Sequence, residues 1–306
     1  MSKYVPDVIS HRWVIIASQR LARPDEPDEF KAKSPKLKAQ SLKLKVRGKC
    51  VFCEGNELLT PAEVFRIGRG EMNKPGWKVR VITNKYPITD YHEVIIHSPD
   101  HEKNVENLSE KQISYILHAY KERFNFYRKM GQVLIFCNSG EHAGASIKHP
   151  HAQLVVIPAQ INLDTLAKEP LNNIVQDTKY FTTYCPDFSQ WPYEVWIAPK
   201  EGKARFGDLS DEQLDEMAVL MSQTLKQLKK IFDGHQLTDM DFAYNYYIYP
   251  GHEWYLRVIP RFVHRAGFEL GTGLNVNIVD PAEASLELRG IESKIVGILN
   301  KLKAKS

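Results

Sequence analysis

His149-Pro150-His151-Ala152-Gln153 sets three polar side chains at alternate positions, directly ahead of the apolar run Leu154-Val155-Val156-Ile157. Alternate residues of a β-strand face the same side, so the spacing predicts His149, His151 and Gln153 on one surface. A neutral imidazole is both a nucleophile near pH 7 and a metal ligand. An amide beside it offers hydrogen bonds to a phosphate oxygen. The small-residue stretch Gly140…Gly144-Ala145-Ser146 upstream adds backbone N–H groups that stabilise developing charge. This combination points to phosphoryl chemistry on a sheet.

The elements that must hold these residues are legible through an internal repeat. His92-Glu93-Val94-Ile95-Ile96 is echoed 101 residues later by Tyr193-Glu194-Val195-Trp196-Ile197, and Leu108-Ser109-Glu110-Lys111-Gln112 by Leu209-Ser210-Asp211-Glu212-Gln213. Each Ser with a Gln three places on predicts a capping-box helix start. The helices that follow share one apolar stripe: Ile113, Ile116, Tyr120, Phe124 and Tyr127 match Leu214, Met217, Met221, Leu225 and Leu228. Strands are predicted near 77–83, 92–97, 132–137 and 151–157, and again near 181–185, 193–198, 242–248 and 254–260. An arm with strand-like Arg12-Trp13-Val14-Ile15-Ile16 precedes them. A last helix is predicted from Asp280-Pro281 to about Lys303. The expected fold is α+β, two pseudo-symmetric units (1–168 and 169–306) with a mostly antiparallel sheet and helices on one face.

Composition narrows the function. The 306 residues are 43% hydrophobic, enough for a substantial core, and carry a formal charge of only +4. That balance suits anionic small substrates and gives no reason to expect nucleic acid. The Lys-rich stretch 31–49 has no interleaved aromatic residues and is expected to be a solvated loop. No apolar run approaches 18 residues and Met1–Pro6 has no apolar signal core, so a cytoplasmic enzyme without a membrane span is expected. Four cysteines, two of them as Cys50-Val51-Phe52-Cys53, do not make a secreted disulfide framework. That pair is half a metal site or a redox couple, and no thioredoxin-like βαβ pattern surrounds it. Zinc requires two further ligands, and Cys50, Cys53, His101 and His149 would complete a Cys2His2 set. Cys137 and Cys185 are expected to be buried small hydrophobes.

His149-Pro150-His151-Ala152-Gln153 after Asn138-Ser139-Gly140…Gly144…Ser146 resembles the active-site segment of the galactose-1-phosphate uridylyltransferase family, a branch of the histidine-triad superfamily. Arg20…Arg23-Pro24, Cys50-x-x-Cys53, Asn84, Ser98-Pro99-Asp100-His101 and Gly267-Phe268-Glu269 follow in the family's order. The resemblance implies a double displacement. His151 attacks the α-phosphorus of a nucleoside diphosphate sugar, and Gln153 binds a phosphate oxygen. The resemblance further implies that Cys50, Cys53, His101 and His149 hold a structural Zn2+. It also implies that Asn84, Asn138, Gly144, Ser146, Arg20 and Arg23 surround the nucleotide. Glu269 contacts the hexose from a partner subunit, in a homodimer with shared sites. The departures are a Lys148 before the motif and a second-unit strand, Trp254–Ile259, without histidine, from which no second metal and one catalytic half are expected.

Three functions fit. The first is uridylyl transfer between UDP-glucose and galactose 1-phosphate. The second is an adenylyl enzyme such as ADP-glucose phosphorylase, which Gly267–Gly273 resembles somewhat more. The third is an idle zinc-stapled nucleotide-binding protein, against which intact His151 and Gln153 count.

Overall fold

The computed structural model describes residues 2–7, 12–18, 20, 50–163, 166, 168, 170–202, 204–235, 241–291 and 293. Arg23 and the 31–49 stretch lie outside them. The N-terminal arm forms a hairpin of β1 (Lys3–Pro6) and β2 (Trp13–Ile16). The first half then supplies β3 (Glu63–Gly68), β4 (Trp77–Thr83), β5 (His92–Ile96), helix α1 (Glu110–Tyr127), β6 (Gln132–Ser139) and β7 (His151–Ile157). The second repeats the order with β8 (Ile174–Asp177), β9 (Phe181–Tyr184), β10 (Val195–Pro199), helix α2 (Asp211–His235), β11 (Tyr244–Ile248) and β12 (Leu256–Pro260). Two short helices follow, α3 (Gly267–Thr272) and α4 (Pro281–Leu288).

All ten strands from β3 to β12 form one sheet in the order β3-β4-β5-β7-β6-β11-β12-β10-β9-β8, with every neighbouring pair antiparallel. The halves meet where β6 pairs with β11, and the order on one side of that seam mirrors the order on the other. The α+β architecture with a mostly antiparallel sheet is as expected. The outermost strands β3 and β8 and the arm strand β1 were not anticipated. β3 and β8 each carry a bulge, and their short edge sequences show no clean alternation.

Helices α1 and α2 cover one face. Ile113, Ile116, Leu117, Tyr120 and Phe124 of α1 pack with Leu214, Met217, Met221, Leu225 and Leu228 of α2 against Val133, Ile135, Ala152, Leu154, Val195, Ile197 and Leu256. Ser109 caps α1 by accepting the Gln112 N–H, and Ser210 caps α2 through a reciprocal pair with Gln213. Gln112 does not return to its own cap. Its amide donates to the carbonyls of Lys78 and His97, tying α1 to the ends of two strands.

Two sequence expectations need correction. The repeat spacing of 101 fails in β10. Glu93 points to the helix side and pairs with Arg123 of α1, whereas its echo Glu194 pairs with Arg257 of β12 on the opposite side. Tyr193, two residues before β10, is left-handed at φ +56, and the strand that follows runs one residue out of phase with its counterpart. The last helix starts as predicted, with Asp280 capping the Ala282 N–H and Pro281 in the first turn, but it stops at Leu288. Gly290 at φ +75 closes it, with Ile291 N–H donating to Leu286 O and Gly290 N–H to Glu287 O. Residues 294–306 lie outside the described residues.

Glu93 is almost fully buried, and Arg123 grips it with two hydrogen bonds of 2.9 and 2.7 Å while Tyr127 Oη donates a third. Burial first, and then the Glu93 carboxylate beside it, push the Tyr127 phenol up to about 12. Removing one partner of such a pair leaves a charge buried without compensation. Arg123→Ala is therefore expected to cost about 3–5 kcal/mol in chemical denaturation; a loss below about 1 kcal/mol would show that water or another cation takes the arginine's place.

Candidate active site and metal centre

β7 carries the motif because its two faces differ completely. Ala152, Leu154 and Val156 face the helices, which leaves His151 and Gln153 together on the opposite face. Pairing with β5 sets His151 opposite Ile96 and Gln153 opposite Val94, and β6 flanks the other side. His149 and Pro150 stand just before the strand. His97 N–H donates to Pro150 O, so the β5 contact continues past the strand's first residue.

His151 is 7% exposed, and its Nδ1 lies 2.8 Å from the carbonyl oxygen of His149. A carbonyl only accepts, so the ring proton resides on Nδ1 and the lone pair on Nε2. The Phe52 ring meets the imidazole edge-on at 5.3 Å and limits its rotation. This is the tautomer a nitrogen nucleophile needs.

His149 faces the metal ligands. Its Nδ1 is 3.7 Å from Cys53 Sγ, which is 3.5 Å from His101 Nδ1, and the donor atoms of Cys50, Cys53, His101 and His149 all lie within 4.8 Å of one another. A tetrahedral ion with Zn–S of about 2.3 Å and Zn–N of about 2.0–2.1 Å separates sulfur and nitrogen donors by roughly 3.5 Å. The donor set and its spacing fit such an ion. The supporting contacts fit as well: His149 Nε2–H donates to Ser98 O at 2.8 Å, leaving Nδ1 as the ligand atom, and Phe52 N–H points to Cys50 Sγ at 3.4 Å. Burial holds the His149 imidazole below its ordinary value, so the ring is neutral. Burial first, and then Cys50 beside it, push the Cys53 thiol up; a bound cation reverses that bias. The four residues can hold a metal ion.

In front of His151 opens a cleft of about 420 Å³. Arg20, Asn84, Lys85, Ser146, Lys148, His151 and Gln153 give it polar groups, and Val51, Phe52, Leu59, Pro61, Ile82 and Val94 give it an apolar wall. Arg20 Nη1 donates to Tyr86 O at 2.8 Å, which anchors it at the rim. Lys148 bonds Glu102 at 2.8 Å, and Glu102 also lies 3.7 Å from His101 Nε2, so the charge unexpected before the motif links cleft and metal ligand.

Not every anticipated residue lines this cleft. Asn138 at the end of β6 and Gly144 in the turn after it lie beside the cleft: Asn138 Oδ1 accepts from Asn245 Nδ2 at 2.9 Å, and that amide also reaches Ala143 O. The turn needs Gly140 at φ +87, where a Cβ would sit 2.8 Å from Ala243 Cβ. Glu269 lies in α3, half-buried, with Oε2 accepting Ala266 N–H, and is not among the residues around the cleft of its own chain. His142 touches His264 ring to ring and does not line the cleft. His252 bonds Arg205.

Two contributors escaped the sequence reading. Phe52, between the two cysteines, touches both His149 and His151. His92 was legible only as part of the repeat. It sits on the cleft side of β5, where a polar residue two positions before Val94 breaks an otherwise apolar strand face, and that break is the signal that marks it.

Residues 87–157 match the family model described as the N-terminal domain of galactose-1-phosphate uridyl transferase. The chain is 28% identical to the ADP-glucose phosphorylase of Arabidopsis thaliana, an alignment covering 93% of this chain and 92% of that protein. It is 21% identical to the galactose-1-phosphate uridylyltransferase of Thermotoga maritima, covering 94% and 98%. Among solved structures, a GalT-like protein from Arabidopsis thaliana superposes with a TM-score of 0.68 at 26% identity, covering 79% of this chain and 92% of that one.

Proposed function

The chain belongs to the galactose-1-phosphate uridylyltransferase family, and on that footing we propose that it transfers a nucleoside monophosphate from a nucleoside diphosphate hexose to a phosphate-bearing acceptor through His151. The observation that carries this reading is the orientation of His151, with Nδ1–H held on His149 O and Gln153 next along the same strand face.

Nε2 attacks the α-phosphorus, the N–P bond forms, and the bond from that phosphorus to the bridging oxygen breaks. The hexose 1-phosphate leaves with the electron pair. Positive charge grows on the imidazole in this step, and the His149 carbonyl stabilises it through the Nδ1 proton. Gln153 and Ser146 donate to the phosphate oxygens, and Arg20 adds a fixed cation at the rim. A phosphate oxygen of the acceptor then attacks phosphorus and the N–P bond breaks, which returns His151 to its starting state. Asn84 borders the nucleotide, with Asn138 and Gly144 shaping the turn beside it, and Arg23 joins the phosphate contacts.

Cys50, Cys53, His101 and His149 would hold Zn2+, which supplies a structural cross-link. His149 thereby links the metal to the nucleophile, its side chain serving one and its carbonyl the other. Units 1–168 and 169–306 divide the work, the first catalytic and the second a scaffold. Glu269 serves a partner subunit in a homodimer. Supporting this, Phe268, Leu270, Leu274, Val276 and Ile278 around it are all more than half exposed. Four free cysteines suit a reducing, cytoplasmic setting. Among the described residues no helix is long and apolar enough to cross a membrane.

UDP-glucose with galactose 1-phosphate is the first donor and acceptor pair. ADP-glucose with inorganic phosphate is the second, favoured by the greater identity to a protein of that activity. Comparing kcat/KM for the two donors, each with both acceptors, decides between them. A preference of at least tenfold for UDP-glucose and galactose 1-phosphate supports the first, and the reverse supports the second. Turnover with neither, alongside measurable nucleotide binding, would contradict both.

A further inference from the structure

We infer that His92 is a positioning residue that fixes which end of the Gln153 amide faces the reacting phosphate; this rests on the reading of Gln153 as a phosphate donor. An amide side chain can present either its oxygen or its nitrogen, and only the nitrogen can donate. An oxygen turned toward an anionic phosphate would repel it.

Three hydrogen bonds remove that choice. The backbone N–H of Ile88 donates to His92 Nδ1 at 2.9 Å. Nδ1 is thus the acceptor, so the proton of the neutral ring must be on Nε2. Nε2–H lies 3.0 Å from Gln153 Oε1. Asn84 Nδ2 lies 3.1 Å from His92 Nε2, which carries the ring proton and so cannot accept from it, and 3.5 Å from the same Gln153 oxygen; its own direction is set because Asn84 Oδ1 accepts Tyr86 N–H at 2.8 Å. Two donors, each oriented by a backbone N–H, converge on the Gln153 oxygen. The NH2 group is left for the cleft that Gln153 lines with His151.

The ring is also held firmly. His92 is 4% exposed in β5, and its strand register places it beside Val155 of β7. Turning the Gln153 amide over would set its NH2 against two donors. The 86–88 loop therefore sets the donor that the phosphate meets, through one imidazole.

A double-mutant cycle with substitutions at 92 tests this. His92→Asn removes the Nε2 donor, whereas His92→Gln places an amide NH2 near the same point. With Gln153→Ala lowering kcat about 100-fold, the scale for loss of one donor to developing charge, His92→Asn is expected to lower kcat about tenfold at unchanged donor KM. His92→Gln is expected to restore most of the rate, and His92→Asn added to Gln153→Ala to cost nothing further. Melting temperatures of the two His92 variants, measured in parallel, should agree. Additive losses, or equal losses in Asn and Gln variants, would overturn the positioning role. An unaltered kcat in Gln153→Ala would instead overturn the phosphate role of Gln153 on which it rests.

Discussion

His151→Asn is expected to lower turnover by on the order of 10⁴-fold or more while leaving the melting temperature nearly unchanged. The substitution is chosen for its shape. The asparagine Nδ2 falls near the place of the imidazole Nδ1 and can keep the bond to His149 O, but nothing occupies the place of Nε2. The nucleophilic atom is lost and the strand stays intact, since Ala152 and Leu154 on the opposite face still pack against the helices. Steady-state rates and thermal unfolding on the same preparation check it. Activity within tenfold of the parent would mean that another atom attacks phosphorus, or that transfer is direct.

Stripping the metal should cost stability and activity together. The four ligands come from segments far apart in sequence: Cys53 is 48 residues from His101 and 96 from His149. Releasing a cross-link across loops of that length costs on the order of 3–5 kcal/mol by the loop-closure scale, a fall of several degrees in melting temperature. Activity falls too, because the carbonyl that holds the Nδ1 proton of His151 belongs to the ligand His149. The metal-free protein should also lose stability in acid. Burial depresses both His149 and His97 below the ordinary 6.5, in His97 reinforced by His151 and His149 nearby. Below about 6.5 the unfolded chain takes up protons that the buried rings refuse, so folding stability of the metal-free protein is lost as the pH falls and is kept above that value. Melting curves and turnover of chelator-treated and untreated protein at pH 8 and pH 6, with zinc measured in each, test all three points. Identical curves, or protein purified without chelator that contains no metal, would refute the cross-link.

The strand motif and the helices were legible because their signals are local. Alternation alone put His151 and Gln153 on one face, and Ser109 and Ser210 marked both long helices at their first turn. The four candidate metal ligands were legible from Cys50-x-x-Cys53 with His101 and His149, and the family resemblance pointed to the same set. What stayed hidden depended on long-range geometry. Glu93 and Glu194 look equivalent in sequence, and only the left-handed Tyr193 turns them to opposite sides of the sheet. Gly290, set inside an otherwise helical pattern, stops the last helix through its left-handed backbone. His92 gave no hint of its partner, because Gln153 lies 61 residues away and meets it only through the β5–β7 pairing.

The central claim is a covalent bond between a nucleoside monophosphate and His151. Mixing the protein with UDP-glucose or ADP-glucose, without acceptor, and weighing it intact tests that claim most directly. A mass gain of one nucleoside monophosphate is predicted. The gain should be stable in alkali and lost in acid, reversed by added acceptor, and missing in His151→Asn. A protein that turns over without any such gain, or that keeps the full gain in His151→Asn, would contradict it.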